Sequence, residues 1–142
     1  MRCVDVNVLI YAHRGDVTEH EAYRALLERI ANDEEPLGVP DVVAAGFLRV
    51  VTNRRVFSEP TPPAAAWEDL DRLLDAPAAR LLVAGERHWR HFRRLATQIE
   101  ARGRDLPDAY LAAYAIENGA TWLSADRGFA RFAGLRWRHP LD

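Results

Sequence analysis

Three aspartates stand where they could do chemistry. Asp5 closes an apolar opening run, Asp108 lies at an expected helix start, and Asp126 follows a second apolar run. Each falls where a strand, or the helix after it, exposes a carboxylate at one edge of an α/β sheet, the edge where open parallel sheets bind ligands. Carboxylates brought together repel unless a divalent cation holds them, and hard oxygen donors favour Mg²⁺ or Mn²⁺. The expected chemistry is metal-assisted hydrolysis, with a phosphodiester as the first choice of substrate. Taken singly, each aspartate also has a plain structural role: Asp5 can accept backbone N–H groups at a strand end, and Asp108 and Asp126 can cap helices. Their joint placement at the open ends of consecutive elements is the more specific signal.

The elements that must position them can be read from hydrophobic period and punctuation. Arg2 to Val4 is a short buried strand, and Asn7 to Ala12 either extends it or forms a helix capped by Asn7. Thr18-Glu19-His20-Glu21 has the form of a capping box, opening a helix with Ala22, Tyr23, Leu26, Leu27 and Ile30 on its apolar stripe. Leu37 to Val39 is a second strand, and Pro40-Asp41 opens a helix that fades near Asn53. Arg54 to Pro63 is a proline-punctuated loop. A helix over about 64–75 turns Trp67, Leu70, Leu73 and Leu74 inward, and a third strand runs from Arg80 to Ala84. The helix Glu86 to Arg102 carries Trp89, Phe92, Leu95, Ala96 and Ile99 on one face, with Gly103 as its cap. Asp108 to Asn118 is a helix ended by Gly119. Thr121 to Ser124 is a strand, Asp126 to Phe132 a short helical turn, and Leu135 to Trp137 a last strand. Strands alternating with helices predict an α/β fold with a mainly parallel sheet covered on both faces.

With 142 residues, 49% of them hydrophobic, the chain suits a single domain over residues 1–142. A net charge of -2 excludes a strongly basic nucleic-acid binder but not a nuclease, because an acidic site and basic flanks cancel in the sum. Every cationic side chain is arginine, which grips phosphate bidentately, although a GC-rich coding bias accounts for the preference as well. The single cysteine, Cys3, has no internal disulfide partner and sits in an apolar strand. The opening residues lack a signal-peptide pattern and no apolar run approaches a membrane span, so a soluble, cytoplasmic protein with no membrane partner is expected.

Three segments carry a family resemblance: DVNVLIYAHR at the start, FLRVVTNRRVF in the middle, and LPDAYLAAYAIENGATWLSADRGFARFAGLRWRHP at the end. Together they resemble a PIN-domain ribonuclease, and within that group the VapC toxins of bacterial VapBC toxin–antitoxin pairs. The resemblance spans nearly the whole chain and implies a three-layer α/β/α domain around a sheet of four or five strands. It further implies a Mg²⁺- or Mn²⁺-dependent endoribonuclease of structured RNA such as tRNA or rRNA, a cognate VapB-type antitoxin and a homodimer. Carried over by position, Asp5, Asp108 and Asp126 become metal ligands and catalytic residues, while Asn7 and Ser124 match polar positions that orient ligands or water. Capping by Asn7 and strand-end bonding by Ser124 are equally good accounts of those two.

One position departs from the family pattern. An acidic residue, usually glutamate, normally precedes the Phe-Leu-Arg of this segment, and here Gly46 stands there, before Phe47-Leu48-Arg49. Glycine in mid-helix costs about 0.5–1 kcal/mol relative to alanine. A selected or engineered knock-out of a harmful toxin is the favoured account. A naturally degenerate toxin and a weaker site of three aspartates are the alternatives. The chain is therefore expected to be less active than its Gly46→Glu form, and a catalytically inactive PIN domain that binds antitoxin or RNA is the rival function. A phosphohydrolase of another α/β family is disfavoured, because no Asp-x-Asp pair stands at the first strand.

Arg49, Arg54, Arg55 and Arg127 are candidate RNA contacts around these segments, and Arg131 also flanks Asp126. His88, Arg90, His91, Arg93 and Arg94 are expected on the solvent side of their helix, a pattern that solvated faces commonly show. His13 and His139 stand alone in sequence, with no nucleophile beside them.

Overall fold

The computed structural model describes residues 1–142. Five strands, β1 (Arg2–Val4), β2 (Leu37–Pro40), β3 (Ala79–Leu82), β4 (Thr121–Leu123) and β5 (Arg136–Arg138), form one sheet. Its order is β3-β2-β1-β4-β5, and every neighbouring pair is parallel. Six helices connect and cover it: α1 (Val6–His13), α2 (His20–Ala31), α3 (Asp41–Val51), α4 (Pro63–Leu74), α5 (His88–Gln98) and α6 (Asp105–Glu117). A 3-10 turn, Arg127–Arg131, precedes β5. The result is the expected α/β/α architecture.

The sheet order places a topological switch point between β1 and β4. From β1 the chain winds outward through β2 and β3, then returns to lay β4 on the other side of β1. Connections leave the carboxyl ends of β1 and β4 in opposite directions, which opens a crevice there. Asp5 follows β1 directly, and Ser124 and Asp126 follow β4.

The central strands are buried because helices cover both faces. Cys3, Val4, Leu37, Val39 and Trp122 all lie in one apolar cluster with Val8, Phe47, Leu95 and the alanines of α6. Ala109, Ala112, Ala113 and Ala115 are small enough to bring α6 close to its neighbours. Close packing leaves Gly38 no room for a side chain: a Cβ there would stand 2.6 Å from Leu82 Cδ1 and 2.8 Å from Cys3 Sγ. Burial pushes the Cys3 thiol up to about 12, so it is a buried, protonated sulfur.

Several local expectations are corrected. The residues Asn7 to Ala12 are helical, and Asp5 rather than Asn7 caps α1, its side chain accepting the Val6 N–H. The capping box at Thr18 does not form; α2 begins one residue later than that pattern requires, after Glu19, with no side-chain cap. Trp67 and Trp89 face solvent, 56% and 67% exposed, while Ala66 and His88 take the inward positions. The α5 helix ends at Gln98 with Ile99 as its cap residue, and Glu100 rather than Gly103 supplies the left-handed residue that follows, with φ 53°. Ala101 N–H then reaches back to the Ala96 carbonyl at 2.9 Å, closing a Schellman-type cap. The helix α6 starts at Asp105, so Asp108 lies within its first turn and not at its cap.

Candidate active site

Asp5 is only 4% exposed. Its Oδ1 accepts the Val6 N–H at 2.7 Å, and its Oδ2 accepts the Ser124 hydroxyl at 2.6 Å and an Asn7 Nδ2–H at 3.3 Å. Asn7 also donates to Ser124 Oγ at 3.1 Å, and its Oδ1 accepts the Ala125 N–H at 3.2 Å. Ser124 Oγ in turn accepts the Asp126 N–H at 3.0 Å. These bonds stitch the end of β1 to the end of β4 and hold both oxygens of Asp5 in place.

The three aspartates share an electrostatic field. Burial pushes the Asp5 carboxyl above its ordinary value of 3.8, the bonds from Ser124 and Val6 pull it back, and the charges of Asp108 and Asp126 raise it again. Asp126 is exposed, and its Oδ1 accepts the Gly128 N–H at 2.8 Å to start the 3-10 turn. That turn delivers Arg131, whose guanidinium donates to Asp108 Oδ2 at 2.9 Å and to Asp105 Oδ1 at 3.2 Å. Arg131 also donates to the Gly128 carbonyl and lies 4.5 Å from the centre of the Phe132 ring.

Carboxylates from three elements, with the amide and hydroxyl oxygens of Asn7 and Ser124 nearby, are the donor chemistry of a hard divalent cation. The set is not closed into a ready-made cluster: no three acidic, histidine or cysteine side chains stand close enough to share one ion as arranged. At Asp108 the carboxylate is instead paired with the Arg131 guanidinium.

Gly46 lies in the middle of α3, and a Cβ built on it would meet only Val6 Cγ2, at 3.6 Å. The position therefore faces Val6 at the start of α1, the residue after Asp5, at an ordinary contact distance for a Cβ. Asp41 sits elsewhere on the same helix, where it accepts the Tyr114 hydroxyl at 2.7 Å. Burial, and then that bond, push the Tyr114 phenol well above its usual range. Arg49, Arg54, Arg55 and Arg127 are all exposed, and none forms an ion pair.

Histidine placement differs from expectation. His88 is buried, with Nε2 bonded to the Tyr110 carbonyl at 2.9 Å and its ring edge-on to Tyr110 and Tyr114. His13 has partners distant in sequence: Asp69 Oδ2 at 2.9 Å on Nδ1 and Thr61 Oγ1 at 2.8 Å on Nε2. The order Asp-His-Thr is that of a nucleophilic triad, yet Thr61 is buried and its hydroxyl also accepts from Arg14 at 3.2 Å. It is a structural tie between α1, α4 and the loop before α4. Separations of 56 and 48 residues left no local signal for it. Arg131 was visible as a flank of Asp126, but its pairing with Asp108 depends on the 3-10 turn.

The PIN domain model matches residues 2–135 of this chain. The chain belongs to the PIN domain family. Ribonuclease VapC43 of Mycobacterium tuberculosis is 70% identical over 142 residues, covering 100% of this chain and 97% of its own length. Ribonuclease VapC25 of the same species is 40% identical over 140 residues, covering 99% of each chain. These relatives place the chain among the VapC group of PIN-domain proteins. A structure of VapBC2 from Rickettsia felis, bound to a DNA fragment from its promoter, superposes with a TM-score of 0.73 at 19% identity, covering 97% of each chain. Mycobacterium tuberculosis VapC20, described as a toxin that cleaves the sarcin–ricin loop, superposes with a TM-score of 0.67 at 14% identity, covering 95% of this chain and 96% of that one. At those identities the two superpositions speak for the fold alone.

Proposed function

We propose that this chain is the toxin of a type II toxin–antitoxin pair, a Mg²⁺- or Mn²⁺-dependent endoribonuclease that cuts structured RNA in the cytoplasm. In this reading residues 1–142 act as one PIN domain, forming a homodimer restrained by a VapB-type antitoxin. The names of its relatives support ribonuclease chemistry and membership of the VapC group. The observation that carries the metal-dependent reading is the Asp5 site at the switch point: a buried carboxylate, held on both oxygens, that feels the charges of Asp108 and Asp126.

Asp5, Asp108 and Asp126 would hold the cation, which when bound supplies a water of lowered pKa and neutralises charge building on the phosphate. Ser124 and Asn7 fix the orientation of Asp5, so little reorganisation is needed when substrate arrives. Arg131 holds Asp108 by charge and must share or release it when the site is loaded. Arg49, Arg54, Arg55 and Arg127, exposed and free of ion pairs, are the arginines that would meet phosphates. Gly46 leaves open the position where a fourth carboxylate would orient the attacking water, and cleavage is correspondingly slow.

A second reading, a PIN domain that binds antitoxin or RNA without cutting, is favoured by Gly46 together with the Arg131–Asp108 pair. The two readings separate on incubating a folded RNA such as tRNA with the chain in Mn²⁺, in Mg²⁺ and in EDTA, beside Asp126→Asn. Metal-dependent cutting lost in the variant supports the enzyme. Binding of RNA without cutting in any metal supports the module.

A further inference from the structure

The α5 helix concentrates charge that the fold does not use. Its sequence, HWRHFRRLATQ, contains Arg90, Arg93 and Arg94 and no acidic residue, and Arg87 stands at its N-cap. None of these four arginines pairs with a carboxylate, although the chain as a whole is net negative at -2. Their placement is unfavourable for the helix itself. Like charges at i, i+3 and i, i+4 repel, and cations near a helix N-terminus oppose its dipole. His91 reports the same field: burial, then the charges of Arg94, Arg87 and Arg90, hold it below its ordinary value against the opposing pull of Glu117.

The geometry of this face suits a polyanion with stacking bases. Arg90, Arg93, Arg94, Thr97 and Gln98 form one exposed polar face of the helix, with no apolar residue among them. Beside it Trp89 is 67% exposed, one turn from Arg93 on the same helix. The indole is braced edge-on against Phe92 at 5.3 Å, and Phe92 against Tyr110 at 5.3 Å. Braced rings stack on unpaired bases at little entropic cost, while guanidinium groups track the backbone. The bond from His88 to the Tyr110 carbonyl fixes the start of α5 beside the first turns of α6, where Asp108 lies.

We propose that α5 is an RNA-docking helix: a single-stranded stretch of the RNA substrate lays its phosphates along Arg90, Arg93 and Arg94 and stacks a base on Trp89, outside the carboxylate site. This rests on the RNA reading given above but adds a surface and the form of RNA it takes.

The test is fluorescence anisotropy of a fluorescein-labelled RNA hairpin with a single-stranded loop, in EDTA to prevent cutting, across a salt series. The chain is compared with the triple variant R90Q/R93Q/R94Q, with Trp89→Ala, and with R24Q/R29Q on α2 as a charge control. The triple variant is expected to bind at least tenfold more weakly, and its slope of log affinity against log salt to flatten by about 2–3, the release of three phosphate contacts. Trp89→Ala should weaken binding roughly 5- to 100-fold with an unchanged slope, and the control should bind as the parent does. Unchanged affinity and slope in the triple variant would overturn the docking helix while leaving ribonuclease activity intact. An equal loss for a DNA duplex would overturn the choice of single-stranded RNA. Loss of the dimer in sedimentation, with RNA binding retained, would make this face an interface between copies and also overturn it. If the parent chain binds no RNA at all, both this inference and the RNA reading fail together.

Discussion

The Ser124 hydroxyl donates to Asp5 Oδ2 at 2.6 Å, joining residues 119 positions apart in sequence. The bond exists because β1 and β4 are neighbours in the sheet, with Val4 in register with Leu123. It sets a buried carboxylate at the switch point in a fixed orientation, although burial opposes its ionisation.

Asp5→Asn separates function from stability. Asparagine still caps α1 through its Oδ1; its amide no longer accepts from Ser124 and Asn7, a loss set against removal of the desolvated charge and of its repulsion with Asp108 and Asp126. The variant should lose metal-dependent RNA cleavage by at least a hundredfold while its melting temperature in EDTA at neutral pH stays level or rises. A substantial fall in melting temperature would mean that the ionised carboxylate is primarily a structural cap.

Gly46→Glu meets no clash at its first side-chain atom, whose one neighbour is Val6 Cγ2 at 3.6 Å. Cleavage in Mn²⁺ should rise at least tenfold in the glutamate form, and Gly46→Ala should gain about 0.5–1 kcal/mol of stability with no gain in rate. Rates compared side by side, with denaturant melts of the same samples, check both parts. Equal rates for Gly46 and glutamate would remove the fourth-carboxylate account.

Arg131 and a divalent cation compete for the Asp108 carboxylate. Arg131→Gln removes the guanidinium at 2.9 Å and should lower the Mn²⁺ concentration for half-maximal cleavage several-fold. A higher requirement would instead make Arg131 the group that positions Asp108 for the ion.

Acid sensitivity should trace partly to the tie at His13. The bond from His13, offset in part by burial and aided by the charges of His13 and Arg72, holds the Asp69 carboxyl below its ordinary 3.8. A depressed carboxylate stabilises the fold above its unfolded value and loses that contribution as pH falls through the folded value. Asp69→Asn should therefore melt lower than the parent at neutral pH, with the gap closing below about pH 3.8. A gap that persists into strong acid would assign the effect to packing rather than charge.

Legibility in the sequence followed the range of the interactions. Strands β1, β2 and β4 and helices α3 and α6 were readable because continuous apolar runs and Pro-Asp or Gly punctuation are local signals. The sheet order was not, since pairing β1 with β4 depends on contacts more than a hundred residues apart. Helical period puts Trp67 and Trp89 on the apolar stripes of their helices, but each lies at the stripe's solvent edge, and small Ala66 and hydrogen-bonded His88 take the inward positions. Asp5, Asp108 and Asp126 were picked out by position, and the structure adds the Ser124–Asn7 network around Asp5 and the guanidinium on Asp108. Neither the His13 tie nor the Arg131 pair follows from residue type or spacing, because both join elements distant in sequence, α1 to α4 and the 3-10 turn to α6.

The central claim, that these carboxylates hold a divalent cation for cutting RNA, is tested most directly by calorimetric titration of Mn²⁺ into the chain, into Asp5→Asn and into the double variant Asp108→Asn/Asp126→Asn. The account predicts saturable Mn²⁺ binding by the parent and its loss in both variants. Binding that survives unchanged in the variants, or no binding by the parent or its Gly46→Glu form, would contradict it.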